Sequence, residues 1–333
     1  MSRDMMSAFE LYQPDTVEGA VDLLGRFGEE GWALAGGNDS FDWFKDRVKR
    51  PKYVVDLGGI AALKGIRETQ DGVEIGALTT LTEVERSPVI QGKYKLLSDA
   101  ARRVASPQIR NAGTIGGNVS QDARCWYYRY GVNCYRAGGN TCYADTPEGQ
   151  NREHCLWGAD RCVAVSPSDT APALVALDAT MVIVGKGGQR EVKAEEFFIG
   201  PNIDITRMTV LEDGDVLTAI RLPAEWSGAR FYFEKVADRN TWDFPLVNIA
   251  AAMKVSGAAG SEKIDEIRIA AGAVQCVPRR LTVVEQVVRG QAKTAETASL
   301  AGQSAVRGAT PLNFNHFKIP LLQNLVTRAI RDA

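Results

Sequence analysis

Five of the six cysteines, Cys125, Cys134, Cys142, Cys155 and Cys162, fall in one short segment, and only Cys276 lies elsewhere. The segment is rich in Tyr, Gly and Asn and follows neither a helical nor a strand period, while regular patterning runs up to it and resumes after it. A chain built this way must fold as a scaffold that closes around a long insertion, here about 122–165, and long structureless insertions are usually functional. A secreted disulfide scaffold would be small and cysteine-dense throughout, which this chain is not. A local cluster in a large chain points instead to a metal or an iron–sulfur centre.

The thiols of Cys125, Cys134, Cys142 and Cys162 are spread too widely for the paired knuckles of most structural zinc sites. A four-thiolate iron–sulfur cluster needs only a loop that folds back on itself. Zinc, disulfides and unlinked buried thiols are the competing readings. Five cysteines for four ligand places leave one spare, and spacing alone does not say which. Trp126, Tyr127, Tyr128, Tyr135, Tyr143 and Trp157 suit either shielding of a cluster or ordinary packing of a loop without its own core. His154 reads as a hydrogen-bonding group of the same loop.

The flanking sequence reads as α/β. Asp15-Thr16 caps a helix whose apolar residues Val17, Ala20, Val21, Leu24 and Phe27 recur at helical spacing. A strand at 32–35 runs into Gly36-Gly37-Asn38-Asp39-Ser40, a helix through Phe41, Phe44 and Val48 follows until Pro51 stops it, and 53–57 is again a strand. Beyond Gly58 come a strand at 73–77, short helices from Leu81 and over 96–104, then, after the cysteine segment, a helix at 171–177 and a strand at 180–184. Residues 201–215 are loop-like. Strands at 231–236 and 264–270, with helices near 295–306 and 320–330, form a separate C-terminal unit. At 333 residues, 45% hydrophobic and 24% charged with net charge -2, the chain has room for two or three cored domains. It lacks the basic excess of a nucleic-acid binder, an apolar run of about 18 residues that would span a membrane, and a signal-peptide pattern at its start.

Two glycine-rich turns carry the next signal. Gly36-Gly37-Asn38-Asp39-Ser40 joins a strand to a helix, and such glycines let consecutive N–H groups form an anion-binding nest backed by the helix dipole. Thr114-Ile115-Gly116-Gly117-Asn118 offers the same chemistry. Either alone is most simply a turn; two together suit a diphosphate-bearing dinucleotide such as FAD. The three-glycine dinucleotide fingerprint with its acidic ribose partner is missing. No catalytic His–acid pair, nucleophile elbow or Walker loop occurs, so no catalytic residue is expected in this chain.

Ala35-Gly36-Gly37-Asn38-Asp39, Gln108-Ile109-Arg110-Asn111 and Thr114-Ile115-Gly116-Gly117-Asn118 resemble the FAD-binding medium subunit of molybdenum hydroxylases, the xanthine dehydrogenase and carbon monoxide dehydrogenase group. Pro167-Ser168-Asp169-Thr170-Ala171-Pro172-Ala173-Leu174 and Phe233-Glu234-Lys235-Val236 are similar to later motifs of that subunit, and the order is kept over nearly the whole chain. The cysteine segment resembles the subset in which the insertion binds [4Fe-4S], as in periplasmic aldehyde oxidoreductase and 4-hydroxybenzoyl-CoA reductase. In that subset the fourth ligand precedes the Ser-Asp turn. This resemblance implies Cys125, Cys134, Cys142 and Cys162 as ligands, with Cys155 spare.

The implied fold is α+β: a PCMH-type FAD-binding domain in two subdomains, 1–57 and 58–223, carrying the iron–sulfur insertion, followed by a C-terminal α+β domain at 224–333. The resemblance assigns FAD to Leu34, Ala35, Gly36, Gly37, Asn38, Asp39, Ser40, Thr114, Gly116, Gly117 and Asn118. It puts Asp169 near the ribityl or isoalloxazine end and brings Lys235 in from the last domain. Substrate chemistry would belong to a large molybdenum-cofactor subunit, with a small [2Fe-2S] subunit between, and ferredoxin or another carrier would exchange electrons with this chain. No nucleic acid and no membrane span are expected. The cytoplasm is the expected compartment, or the periplasm if a partner's export signal carries the chain there. A stand-alone FAD-dependent reductase on the same fold and a zinc-stabilised interaction module are the alternatives.

Overall fold

A computed structural model describes residues 6–258 and 260–333. Its strands form three sheets. The first is parallel, in order β1-β3-β2, from β1 (Glu10–Tyr12), β2 (Gly31–Leu34) and β3 (Tyr53–Asp56). The helix Val17–Phe27 connects the first two; Thr16 caps it by accepting from the Gly19 N–H, and Ala20, Val21 and Leu24 form its buried face.

The second sheet is antiparallel, in order β4-β5-β8-β6-β7, from β4 (Ile66–Thr69), β5 (Gly72–Gly76), β6 (Thr180–Gly185), β7 (Gly188–Lys193) and β8 (Val216–Pro223). Helices Leu81–Arg86, Lys95–Arg102 and Thr170–Ala176 bury Leu81, Leu96, Leu97, Ala173 and Leu174 in one core with Ile75, Met181 and Ile220 of this sheet. The third sheet, β12-β11-β10-β9, is antiparallel and uses β9 (Arg230–Val236), β10 (Val247–Ser256), β11 (Lys263–Gly272) and β12 (Arg279–Arg280). Helices Thr282–Val288, Ala295–Ala305 and Lys318–Asp332 close a second large core over it.

Several boundaries depart from the sequence reading. The helix expected to run to Pro51 is Asn38–Lys45; the chain turns at Arg47, whose φ is +56°, so the helix ends before proline chemistry acts. Strands β7 and β8 and the helix Thr282–Val288 had no sequence expectation. β7 is almost wholly exposed, so its Gly188–Lys193 sequence shows no apolar alternation to read.

The cysteine segment is tied off at its neck by an antiparallel bridge between Arg124 and Val165. Inside lie one helical turn, Trp126–Arg129, and short 3-10 turns at Tyr135–Ala137 and Tyr143–Asp145. Its second half is held by the C-terminal region. The Leu156 N–H donates to Val274 O, Asn315 Nδ2 donates to the carbonyls of His154 and Cys155, and the buried Lys318 ammonium donates to the carbonyls of Glu153, His154 and Ala273. Among the described residues no helix is long and apolar enough to cross a membrane.

Candidate cofactor cleft and cysteine cavity

The two glycine loops lie side by side. A Cβ on Gly36 would stand 2.1 Å from Ala112 O and 3.0 Å from Gly113 Cα, so only glycine permits this approach. Asn38 Nδ2 donates to Ile109 O at 3.0 Å, fastening the first loop to the second. Gly37 has φ +77° and precedes the helix Asn38–Lys45, which begins without a side-chain cap. The orphan N–H groups of its first turn are therefore open to a ligand.

Residues 35–40 line a cleft of about 940 Å³ together with Thr114, Gly117, Asn118 and Asp169, a size within the range of cofactor sites. The second loop contributes differently from the sequence expectation. Its backbone donors are already used: Ile115 N–H goes to Thr79 O, Gly116 N–H to Ala77 O, Gly117 N–H to Thr114 Oγ1 and Asn118 N–H to Thr114 O. It meets a ligand through side chains and the bare face of Gly117, not as an open nest.

Three expected FAD residues do not line the cleft. Leu34 is buried in a core with Trp43 and Phe44. Gly116 is turned to the sheet, where a Cβ would stand 2.7 Å from Ala77 O. Lys235 stands behind Asp169, with Nζ 2.6 Å from its Oδ2, and also donates to Arg103 O. Asp169 accepts from Asn248 Nδ2 as well; full burial pushes its pKa up, against the pull of Lys235. The donor-rich first loop, the glycine approaches and the cleft's size fit a dinucleotide.

The cysteine segment forms part of the same cleft wall. Arg124, Cys125, Trp126, Arg129 and Tyr130 line it, and Arg129 ion-pairs with Asp39 at 3.0 Å while its guanidinium lies 4.3 Å over the Trp43 ring. Sequence reading missed Arg129 because its partner Asp39 lies ninety positions away, and with it Trp43, on whose ring it rests.

Behind this wall is a second, small cavity. Cys125, Cys134, Cys142 and Cys162 all line it, with Tyr127, Tyr128, Tyr135, Tyr143, Arg136 and Arg161; Cys155 does not. Cys125 alone of the cysteines lines both spaces. Cys155 instead packs against Ala144, Val163 and Val165. Among the described residues no three His, Cys, Asp or Glu side chains stand at metal-holding spacing, so the four thiols surround the cavity without converging. No disulfide joins any of the cysteines of the chain.

Burial pushes the Cys125 and Cys155 thiols up to about 12 and raises Cys142 also. Cys162 is lowered, by a hydrogen bond from Cys276 and by the nearby Arg136 charge, while Cys276 is correspondingly raised. His154 Nε2 is 3.3 Å from Cys125 Sγ, and burial lowers the imidazole to about 4, keeping it neutral. Arg136 is buried with Nε lacking a partner. Four cysteine thiols and aromatic walls are the donor chemistry of a thiolate-bound iron–sulfur site, but here the thiols stand apart around the cavity.

Comparison with known proteins agrees with this architecture. Residues 7–225 match the family described as FAD binding domain in molybdopterin dehydrogenase, and 232–333 the CO dehydrogenase flavoprotein C-terminal domain. The carbon monoxide dehydrogenase medium chain of Hydrogenophaga pseudoflava is 30% identical over 330 residues, 98% of this chain and 96% of that one. The aldehyde oxidoreductase FAD-binding subunit PaoB of Escherichia coli strain K12 is 30% identical over 305 residues, 90% of each chain. A solved structure of carbon monoxide dehydrogenase from Hydrogenophaga pseudoflava, lacking the Mo-pyranopterin moiety of its molybdenum cofactor, superposes with TM-score 0.77 at 29% identity, covering 98% of this chain and 97% of that one.

Proposed function

The chain belongs to the FAD-binding medium subunits of molybdenum hydroxylases and is an oxidoreductase flavoprotein subunit; from that premise we propose that it also carries a [4Fe-4S] cluster and relays electrons. Cys125, Cys134, Cys142 and Cys162 are the proposed ligands and Cys155 the spare. The single observation that carries this reading is the shared wall: four cysteines line one cavity, and Cys125 lines the FAD cleft as well. Bound FAD exchanges electron pairs and an iron–sulfur cluster single electrons, so a chain holding both converts between the two currencies.

The protein's own residues bind and position. Residues 35–40 supply backbone donors for an anionic diphosphate; Thr114, Gly117 and Asn118 shape the floor; Asp169, fixed by Lys235 and Asn248, presents a carboxylate to the cleft. Trp126 and Arg129 line the cleft on the side of the cysteine segment, with Arg129 held over the Trp43 ring. In the proposed division, subdomains 1–57 and 58–223 hold FAD, the segment 122–165 holds the cluster, and 224–333 braces both. A large molybdenum-cofactor subunit would carry the substrate chemistry, a small [2Fe-2S] subunit would exchange electrons with this chain, and a carrier such as ferredoxin would dock near the cysteine segment.

Anaerobic purification with the partner subunits, followed by iron, sulfide and flavin analysis and EPR after dithionite, tests this. One FAD and about four irons per copy, beyond any small-subunit cluster, are expected. Flavin without those irons overturns the cluster; zinc in their place overturns the relay altogether.

A further inference from the structure

Arg136 is 4% exposed and stands in the wall of the four-cysteine cavity. Its Nη1 is 3.4 Å from Asp122 Oδ1, and its Nη2 is 2.8 Å from Met208 Sδ and 3.9 Å from Cys276 Sγ. Nη2 also donates to Arg207 O at 3.5 Å, and Nε has no partner. Asp122 is not its counter-ion alone. Lys49 pairs with the same carboxylate at 3.2 Å, and the Tyr128 hydroxyl and Ala123 N–H donate to it. Asp122 is thus shared between the buried Arg136 and the partly solvent-exposed Lys49, so Arg136 is only partly compensated. A buried charge is costly unless opposite charge faces it, and the open space that Arg136 lines is the cysteine cavity.

We infer that Arg136 is a positioning residue whose guanidinium, partly screened by Asp122, sets the reduction potential of the cluster held by Cys125, Cys134, Cys142 and Cys162. The inference rests on the [4Fe-4S] reading of that cavity. A cluster bound by four thiolates is anionic and gains one further negative charge when it accepts an electron. A fixed cation beside it favours the reduced form more than the oxidised form and raises the potential. Asp122, which also lines the FAD cleft, opposes that effect. The two charges therefore act on the potential with opposite signs, which simple packing roles do not produce.

The test is an anaerobic redox titration of the full chain purified with its partner subunits, followed by EPR, on the native protein and three variants. Arg136→Gln should lower the ratio of reduced to oxidised cluster at fixed poise about tenfold, which for a one-electron couple is about 59 mV. Asp122→Asn should raise that ratio, and Arg136→Lys should stay close to native. Iron retained in Arg136→Gln with an unchanged potential, or shifts of the same sign in Arg136→Gln and Asp122→Asn, overturns the inference. Should Arg136→Gln lose its iron, the other two variants decide: a raised potential in Asp122→Asn with native-like Arg136→Lys supports it, and no shift in Asp122→Asn overturns it. A native chain without the four irons overturns the underlying cluster reading instead, and that outcome is visible before any variant is made.

Discussion

Asp169 Oδ2 and Lys235 Nζ meet at 2.6 Å with both side chains almost completely buried, and the pair ties the FAD cleft to the third sheet. Asp169 precedes the helix Thr170–Ala176 and lines the cleft, while Lys235 lies in β9 behind it. Removing one partner strands the other charge in a dry environment. Lys235→Met is expected to cost about 3–5 kcal/mol, measured by urea unfolding, and to lower flavin retention. Lys235→Met with Asp169→Asn should recover much of the stability but not the native cleft carboxylate.

The glycine approach at the cleft gives a paired prediction. Gly36→Ala drives a methyl group into Ala112 O, forcing the two loops apart. A loss of about 1–3 kcal/mol is expected, as for overpacking, together with a drop in bound flavin on gel filtration. Gly92→Ala, in the helix Pro88–Lys93, meets nothing within 4 Å and should leave flavin content unchanged. It should be neutral or raise stability by up to about 1 kcal/mol.

Cys125 and Cys155 should separate cleanly in metal content. Cys125→Ser removes one of the four cavity thiols and should abolish the iron signal. Cys155→Ala faces Val163 and Val165 instead of the cavity and should keep the iron, with only a small fall in melting temperature. Equal iron loss in both variants would reassign the ligand set.

Arg129 joins the cysteine segment to the first glycine loop through Asp39 and the Trp43 ring. Arg129→Ala should cost about 1–2 kcal/mol, since a charge-assisted hydrogen bond and a half-buried cation–π contact go together. Protease cleavage within 122–165 should become faster.

On β5, Glu74 accepts from Arg67 and from Arg221 Nε at 2.7 Å, and these hydrogen bonds hold its carboxyl below the usual glutamate value of 4.5. A lowered folded pKa makes the unfolded chain the stronger proton binder as acid is added, so this stabilisation is complete above the ordinary glutamate value and is lost as pH falls through the folded one. Glu74→Gln should lower stability by less than about 1 kcal/mol at pH 7, because the arginines are solvent-exposed. The difference from native should shrink as pH falls below 4.5, read from thermal melts in matched buffers.

Much of the scaffold around the site is legible in the sequence. Thr16 as a cap, the strand entering Gly36-Gly37, and the helices after Leu81 and at 171–177 follow from spacing and local chemistry, and the structure has them within a residue or two. The resemblance assigns whole loops, Leu34 and Gly116 included, yet successive residues of a strand or tight turn face different ways, and these two face away from the cleft. A motif carries no depth, so only packing shows Lys235 bonded to Asp169, with Asp169 lining the cleft in front of it.

By itself the sequence determined what is local: which residues start and stop elements, that the glycine turn between β2 and the helix Asn38–Lys45 has free donors for an anion, and that a cysteine-bearing loop interrupts a regular scaffold. Tertiary structure alone decided what meets across long separations. It set Arg129 on Asp39, Arg136 on Asp122 and Cys276, Cys155 outside the cavity that the other four thiols line, and Cys125 between two cavities. Local pattern reflects backbone geometry over a few residues. Which side chains share a buried space depends on how three sheets pack, and no spacing within the chain encodes that.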